Sequence, residues 1–277
     1  MSAVSRTVLP RLALPKWLRR STHHALEREH LPRERYEAAW QARFGNRTQP
    51  ALGYFTTHRE RFYELFNAVA YLRSRYRLGP EVLEIGVSEF TFLYQDLFPE
   101  LRLVTLDRPI EMNGADAAWS RDHARAERHY NADLTAAKLD PSWGEPPLGR
   151  FDLVICTEVI EHLVVNPVEF LEGLVSVLKD EGLLYLTTPN FFRRDNRLKF
   201  ARGENPQAIY PRRGENWDAH HHFREFGMAE LEAFAQQAGG RIVERHYSAC
   251  WEVDARWPAR YAERSNLVLV IGRARSS

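Results

Sequence analysis

From Pro80 onwards, short apolar runs alternate with stretches of helical character, and this alternation limits the possible folds more than any other feature. Two of the helical stretches are Pro167–Lys179 and Met228–Ala238. The apolar runs predict seven strands, namely Glu81–Ile85, Leu101–Leu106, Arg128–Ala132, Phe151–Cys156, Gly182–Thr187, Arg241–Arg245 and Asn266–Ile271. Strands that alternate with helices in this way predict an α/β fold, with a mostly parallel sheet and helices on both faces.

Two further segments precede Pro80. Residues 1–26 form a basic tail with five arginine or lysine residues and no acidic residue. Such a tail either rests on an anionic membrane face or a protein partner, or stays solvated and packs loosely on the body. Residues 27–79 are predicted to form a helical N-terminal extension, because apolar residues recur every three or four positions over Thr57–Arg77. This leaves residues 80–277 for the sheet domain.

The composition is that of an ordinary globular chain, and it restricts the partners. Of the 277 residues, 44% are hydrophobic, and the formal net charge of +1 gives no strong field for nucleic acid. Cys156 and Cys250 are far apart in sequence, which argues against a zinc site or a disulfide scaffold. Because the apolar runs are also too short to span a bilayer, we expect a cytoplasmic protein. It would be peripheral at the inner membrane face if the basic tail binds there.

Acidic residues and a glycine follow successive predicted strands. Glu84 and Gly86 end the first strand, where glycine lets the chain turn sharply and approach a ligand. Asp107 ends the second strand about twenty residues later, and a carboxylate there can accept both hydroxyls of a ribose. Asp133 follows the third strand, and Phe151–Cys156 is the fourth. Ligands of such sheets bind at the carboxyl ends of the strands, so these residues predict a binding site.

In this order and spacing, the motifs resemble class I S-adenosylmethionine-dependent methyltransferases over roughly Glu81 to Ile271. The resemblance implies a Rossmann-like sheet and S-adenosylmethionine as the cofactor. Glu84 and Gly86 would flank its methionine part, Asp107 would hold the ribose, and Asp133 would border the adenine together with the next residue. The cofactor-binding residues implied in this way are Glu84, Gly86, Ser88, Asp107, Asp133, Leu134 and Thr157.

The loop after the first strand departs from the pattern of this family. The family usually reads Gly-x-Gly-x-Gly, whereas this chain reads Gly86-Val87-Ser88-Glu89-Phe90. Ser88 is small enough for the turn, but Phe90 replaces a glycine that normally packs close to the cofactor or the strand. Either the following helix is set back, or cofactor binding is weakened; we expect a shifted loop in a working enzyme.

A second group of polar residues follows the fourth strand. If an α-helix begins near Thr157, then Glu158, Glu161 and His162 fall within an arc of about 100° and face one pocket. A hydroxyl acceptor requires such a group, because a base must take its proton or a cation must stabilise the alkoxide.

One member of the triple histidine at positions 220–222 is expected to close the same pocket from the opposite side. The segment that starts at His222 looks like one found in bacterial methyltransferases that act on sugars and quinone precursors. Glu158, Glu161, His162 and His222 also resemble the four metal ligands of the enzymes that methylate the terminal 2′-hydroxyl of small RNAs. That resemblance implies a Mn²⁺ or Mg²⁺ ion, and the alternative is metal-free catalysis with His162 as the base. In either case His162, Glu161 and His222 are the predicted catalytic residues.

Residues 190–226 form a long connection after the fifth strand and are predicted to be an insertion on the acceptor side. Loops of this length are usually functional or disordered, and five aromatic residues in the first part argue against disorder. The same part carries seven basic residues. Aromatic rings stack on sugars and arginines pair with carboxylates or phosphates, so the segment favours a sugar or glycan acceptor.

Three functions are compatible with these patterns. The leading hypothesis is O-methylation of a sugar or glycan hydroxyl in bacterial polysaccharide biosynthesis. The second is terminal 2′-O-methylation of RNA, although the near-neutral charge and the lack of a recognisable RNA-binding module count against a nucleic-acid partner. The third is a catalytically silent methyltransferase-fold assembly protein, which the altered glycine loop suggests and the intact acids and histidines oppose.

Overall fold

The computed structural model of the chain describes residues 24–46, 51–108, 126–207, 221–251 and 260–274. The basic tail lies outside these residues except for its last three, and so do positions 208–220 of the predicted insertion. None of the described helices combines the length and the apolar character that a membrane span requires.

A seven-stranded sheet forms the centre of the described molecule and confirms the predicted α/β class. Its strands are β1 (Glu81–Ile85), β2 (Arg102–Asp107), β3 (Arg128–Asn131), β4 (Phe151–Thr157), β5 (Leu178–Pro189), β6 (Gly240–Ser248) and β7 (Asn266–Arg273). The order is β3-β2-β1-β4-β5-β7-β6. The pairs from β3 to β5 are parallel, and β7 runs antiparallel to both β5 and β6. The strand order reverses beside β1, where such sheets leave a cleft for ligands.

β5 begins earlier than predicted, at Leu178, and the preceding helix ends at Ser176 instead of continuing into the strand. Leu178 pairs with Phe151 of β4. Lys179 Nζ then donates to Asp152 Oδ2 at 2.8 Å. Leu178 and Lys179, the last two residues of the predicted helix, therefore belong to the sheet because they contact β4.

Six α-helices accompany the sheet in the described residues. They are α1 (Arg33–Phe44), α2 (Ala51–Tyr76), α3 (Leu93–Leu97), α4 (Pro167–Ser176), α5 (Arg194–Ala201) and α6 (Met228–Gln237). The start of α4 follows from its first residues. The Asn166 side chain accepts the N–H of Val168 at 3.0 Å, and Pro167 occupies the first turn, where its missing N–H has no partner to lose.

Different parts of the chain cover the two faces of the sheet. Leu83 and Ile85 of β1 belong to a core cluster that includes α4 and α6, whereas Val82 belongs to a cluster with α1 and α2. This alternation is the two-residue period of a strand. The N-terminal extension is helical as predicted, and it is one of the two layers that bury the sheet.

A single buried asparagine fastens the start of the extension to α2. Asn67 Oδ1 accepts the N–H groups of His30 at 2.7 Å and Leu31 at 3.0 Å. Its Nδ2 donates to the carbonyls of Leu26 at 3.0 Å and Arg28 at 2.8 Å. Both donors and both acceptor positions of the amide are thus used, and they hold a segment that lies outside the α-helices and strands.

Candidate functional site

The residues predicted to bind the cofactor follow one edge of the sheet. Gly86, Asp107 and Thr157 stand at the carboxyl ends of β1, β2 and β4, and Asp133 comes shortly after β3. Because these four strands are neighbours in the sheet, the four positions form one row. This is the edge at which doubly wound sheets bind ligands.

The turn after β1 requires glycine. Gly86 has a φ of +82°, and a Cβ at this position would lie 2.8 Å from Val159 Cγ2. The next N–H, that of Val87, donates to Asp107 Oδ2 at 3.0 Å, and the N–H of Arg108 donates to Oδ1 at 2.7 Å. A carboxylate offers about four acceptor positions, so Asp107 can fix this turn and still accept hydrogen bonds from a ribose.

Glu84 lies behind the turn and is buried. Its Oε2 accepts a hydrogen bond from Thr91 Oγ1 at 2.7 Å. Burial raises the pKa of Glu84 to about 8, although the hydrogen bond from Thr91 opposes it, and the charge of Asp107 acts in the same direction as burial. The geometry places Glu84 as a support of the loop, and its contact with the methionine part of the cofactor stays a prediction.

The departure from the glycine pattern has a structural explanation. Ser88 Oγ accepts the N–H of Phe90 at 3.2 Å and caps the 3-10 helix Glu89–Phe92. The buried Phe90 ring stacks on Phe62 of α2, with centroids 3.8 Å apart and an angle of 4° between the planes, and it also contacts Phe44. The side chain points into the N-terminal extension, which is how the loop accommodates phenylalanine in place of glycine.

At the far end of the row, Asp133 and Leu134 form the turn after β3. Asp133 Oδ1 accepts the N–H of Thr135 at 2.9 Å and its hydroxyl at 2.6 Å, and these bonds lower the pKa of Asp133. Leu134 is half-buried against the core cluster on the α4 side. The pair offers an apolar surface beside a carboxylate, as the predicted adenine border requires.

The predicted α-helix from Thr157 does not form. Glu158 has a φ of +55°, which residues with a Cβ rarely adopt, and only a short 3-10 helix, Ile160–His162, follows. The backbone carbonyl of Thr187 accepts the N–H of Glu158 at 3.0 Å, and the Oγ1 of Thr187 donates to Glu158 Oε1 at 2.7 Å. Asn266 Nδ2 donates to the same oxygen at 2.9 Å. The prediction of a helical face was therefore wrong, because β5 and β7 hold Glu158 in another conformation.

Glu161, His162 and His222 nevertheless converge: one ligand atom from each lies within 4.8 Å of the other two. Glu161 is fully buried, and its Oε2 accepts from Thr188 Oγ1 at 2.9 Å. Its Oε1 has no hydrogen-bond partner among the described residues. His162 Nε2 lies 3.8 Å from that oxygen, which is beyond hydrogen-bond distance. A buried carboxylate oxygen without a partner therefore stands beside an imidazole nitrogen.

The other ring nitrogens of the two histidines are engaged. His162 Nδ1 donates to the backbone carbonyl of His221 at 2.9 Å, and His222 Nδ1 donates to Glu225 Oε1 at 3.0 Å. In a neutral ring this leaves Nε2 as the nitrogen that can accept a proton or a cation. Metal-binding histidines in proteins are held in the same way, by a carbonyl or a carboxylate on the second nitrogen.

Glu225 is shared between His222 and Arg193, which forms an ion pair with it. Burial acts to raise the pKa of Glu225, but the hydrogen bonds from these two partners lower it to about 2. Glu225 is therefore a carboxylate that fixes the orientation of the His222 ring.

Glu158, the fourth member of the predicted metal quartet, lies outside the converging group of three. Burial raises the pKa of Glu158, and burial together with the charge of Glu158 raises that of Glu161 well above its ordinary value. The half-buried carboxyl group of Glu158 and the buried one of Glu161 disfavour two negative charges, and the charge of Arg61 opposes this only in part. A cation at the cluster would favour the ionised form of both groups.

A cavity of about 490 Å³ opens at this cluster and brings all four residues of the quartet to its wall. The sequence did not predict the part of the wall that α2 and the segment after β6 supply. Arg61 sits beside the apolar stripe of a predicted helix, and nothing in the local sequence marks it as different from a solvated arginine. His220 lies outside the described residues. The lining consists of His58, Arg61, Glu158, Glu161, His162, Pro189, Arg193, Asp195, His222, Glu225, Trp251, Ser265 and Asn266.

A protein family described as "Methyltransferase domain" matches residues 57–245. The match covers more than half of the chain, from within α2 into β6. The chain belongs to this family. The match confirms the methyltransferase family that the strand-end motifs predicted.

Curated relatives and solved structures are similar to this methyltransferase at low identity. A ubiquinone biosynthesis O-methyltransferase of Azotobacter vinelandii is 28% identical over 159 residues, which cover 53% of this chain and 65% of that protein. One of the same name from Xanthomonas euvesicatoria is 29% identical over 119 residues, 43% of this chain and 46% of that protein. The chain thus spans less than two thirds of the length of these relatives. An S-adenosylmethionine-dependent methyltransferase of Clostridium acetobutylicum superposes with a TM-score of 0.49 and 11% identity, over 76% of this chain and 91% of that one.

Proposed function

We propose that this methyltransferase transfers the methyl group of S-adenosylmethionine to a hydroxyl oxygen of a sugar or glycan, in bacterial polysaccharide biosynthesis, and that a divalent cation assists the reaction. The observation that carries the proposal is the convergence of Glu161, His162 and His222 on the wall of the cavity. The cofactor would lie along the row from Gly86 to Thr157, beside that cluster.

The donor half of the reaction requires little from the protein. A sulfonium is a good leaving group, so the enzyme has to align the oxygen, the methyl carbon and the sulfur. Asp107 would orient the ribose, and the Gly86 turn would admit the methionine part of the cofactor. The acceptor half is harder, because a hydroxyl group holds its proton at neutral pH.

The donor set at the acceptor side fits a divalent cation such as Mn²⁺ or Mg²⁺. The partnerless Oε1 of Glu161 and the imidazoles of His162 and His222 are ligands of the type that such ions accept. When bound, the ion would stabilise the negative charge that develops on the acceptor oxygen. Glu225 and the carbonyl of His221 would keep the two rings oriented. In the metal-free alternative, His162 removes the hydroxyl proton through Nε2.

The hydrogen-bonding side chains in the cavity wall support a polyhydroxylated acceptor. Charged groups and hydrogen-bonding side chains outnumber the apolar ones on its wall, and Trp251 offers an aromatic face of the kind that stacks on sugars. The names of the two curated relatives make an acceptor of ubiquinone biosynthesis the second candidate. Terminal RNA methylation is a third, which the cation site favours and the net charge of +1 opposes.

Binding and turnover together test the proposal. Labelled S-adenosylmethionine is offered with nucleotide sugars, polysaccharide fragments, quinone precursors and RNA ends, each with Mn²⁺ and with EDTA. We expect label in the sugars, loss of turnover with EDTA, and recovery when Mn²⁺ is returned. Calorimetry should show that the wild type binds Mn²⁺ and that the affinity is lower in His222→Ala. Transfer that resists EDTA would leave His162 as a simple base, and absence of cofactor binding would identify a catalytically silent protein.

A further inference from the structure

We propose that Arg61 binds an oxyanion of the acceptor, so that the enzyme selects acidic sugars, which carry a carboxylate or a phosphate near the hydroxyl that is methylated. The inference rests on the proposed function and names the substrate class for the same cavity. The observation behind it is the position of one arginine in the cavity wall.

Arg61 extends from α2 and is half-buried. Its guanidinium carbon lies 4.4 Å from the centre of the Phe62 ring and 5.9 Å from that of Trp251. The buried Nε has no hydrogen-bond partner, and among the described residues no hydrogen bond or ion pair involves this side chain. Leaving a buried donor without a partner is unfavourable, and a ligand that enters the cavity can satisfy it.

Arg193, the second arginine that lines the cavity, differs from Arg61 in its partners. Arg193 forms an ion pair with Glu225 and donates to the carbonyl of Asn190 at 3.2 Å, so its charge is already balanced. Arg61 makes its close contacts with two aromatic rings; its charge acts on the carboxyl groups of Glu158 and Glu161, but it forms an ion pair with neither of them. A guanidinium presents its donors as a planar fork that matches a carboxylate or a phosphate. Arg61 is thus the cavity arginine whose fork remains available for such a group.

Trp251 gives the same wall a flat apolar surface. Its Nε1 donates to Asn266 Oδ1 at 3.0 Å, which fixes the plane of the ring. The His58 ring meets it edge-on, with centroids 5.2 Å apart. An aromatic face next to a guanidinium is suited to a sugar ring that carries an acid, because the ring can stack while the acid pairs with the arginine.

The larger of the two cavities that Arg61 lines favours the acceptor as the source of the oxyanion. The described lining of that cavity includes the proposed cation ligands but not Gly86, Asp107 or Asp133, whereas the smaller cavity, of about 10 Å³, brings Arg61 beside Thr157 of the cofactor row. Arg61 comes from α2, and Glu161 and His222 come from the segments after β4 and before α6. A ligand held between these elements would place its acid at α2 and its hydroxyl at the cation site.

Three sugars with the same ring test this assignment. Glucuronate, glucose 6-phosphate and glucose differ at carbon 6, which carries a carboxylate, a phosphate or a hydroxyl. Their affinities are measured by NMR titration of the full chain, saturated with S-adenosylhomocysteine and Mn²⁺. We expect at least one acidic sugar to bind about ten- to a hundred-fold more tightly than glucose. The stronger of the two then tells whether the site prefers a carboxylate or a phosphate.

Arg61→Gln should abolish the preference for acidic sugars, and Arg61→Lys, which keeps the charge without the fork, should retain part of it. Arg75→Gln, an exposed arginine of the same helix, is the matched control and should behave like the wild type. Thermal melting verifies that each variant is folded. If Arg61→Gln does not fold, the preference of Arg61→Lys for acidic sugars tests the inference instead.

Two results would overturn the inference. One is equal affinity for all three sugars, including no binding of any of them. The other is loss of S-adenosylhomocysteine affinity in Arg61→Gln with the acidic preference intact, which would move Arg61 to the cofactor. Failure of the proposed function looks different: acidic sugars would bind through Arg61, but no label from S-adenosylmethionine would reach any hydroxyl.

Discussion

Glu225 accepts a hydrogen bond from His222 and forms an ion pair with Arg193. Its carboxylate therefore contacts the ring of one of the three converging side chains. Glu225→Gln keeps the shape and removes the charge. We expect it to weaken Mn²⁺ binding about 10–100-fold, the usual effect of removing such a partner, and calorimetry measures this. Glu230→Gln, whose carboxylate pairs with Arg224 on the surface, is the control. Unchanged affinity in Glu225→Gln would argue against a metal at His222.

Asp107 links the turn after β1 to the end of β2 and faces the predicted ribose position. Asp107→Ala should cost about 2–4 kcal/mol of S-adenosylmethionine binding, because two hydrogen bonds to a charged acceptor are lost. Titration calorimetry gives the value, and Asp180→Ala, at an exposed carboxylate, is the comparison. Wild-type affinity in Asp107→Ala would exclude the ribose contact.

The sequence could predict those site residues whose position is set by the strand that carries them, but not those that only the packing of distant elements brings to the cavity. Gly86 and Asp107 stand at the ends of strands, so a strand pattern and a spacing are enough to find them. Trp251 and Arg61 reach the cavity only after α2 has packed on the sheet and β7 has paired with β6. The residues next to them in the sequence do not indicate this packing.

The short segment between β4 and α4 is where prediction and structure differ most. An apolar and polar spacing at Glu158, Glu161 and His162 is compatible with a helix, but Thr187 and Asn266 hold Glu158 at a positive φ. These partners are far along the chain, and a local pattern cannot include them. The strands themselves were predictable, because a buried sheet imposes runs of apolar residues on each of them.

The irregular segment before α1 depends on α2 through Asn67. Asn67→Ala removes four hydrogen bonds and leaves buried backbone groups without partners, so we expect the free energy of unfolding to fall by about 2–4 kcal/mol. Urea unfolding measures it, with Gln237→Ala at the end of α6 as a surface control. A loss below about 0.5 kcal/mol would mean that water replaces these contacts.

Across the whole protein, stability should depend on pH through Glu64 of α2, whose carboxylate accepts a hydrogen bond from Ser248 of β6. Burial raises the pKa of Glu64 to about 7, although the hydrogen bond from Ser248 opposes it; Glu60 and Glu27 act in the same direction as burial, and Arg264 acts against it. The folded state therefore holds this proton more tightly than the unfolded state does. Its contribution is present below pH 4.5 and is lost as the pH rises towards 7.

Glu64→Gln tests this dependence. The difference in the free energy of unfolding, wild type minus variant, should decrease between pH 4.5 and 7 and then level off, as measured by urea unfolding at several pH values. Groups common to both proteins cancel, including His246, whose pKa burial lowers to about 3. A constant difference would show that folding does not raise the pKa of Glu64.

Arg61 and Phe62 are consecutive residues of α2 that serve different ends of the enzyme. Phe62 stacks on Phe90 in the turn after β1, and Arg61 lines the cavity. Because a close-packed interior transmits displacement, a ligand that shifts the turn also moves the cavity wall. The affinities for donor and acceptor would then be linked by one free energy, equal in both directions. Binding of either ligand would therefore change the affinity of the enzyme for the other by the same factor.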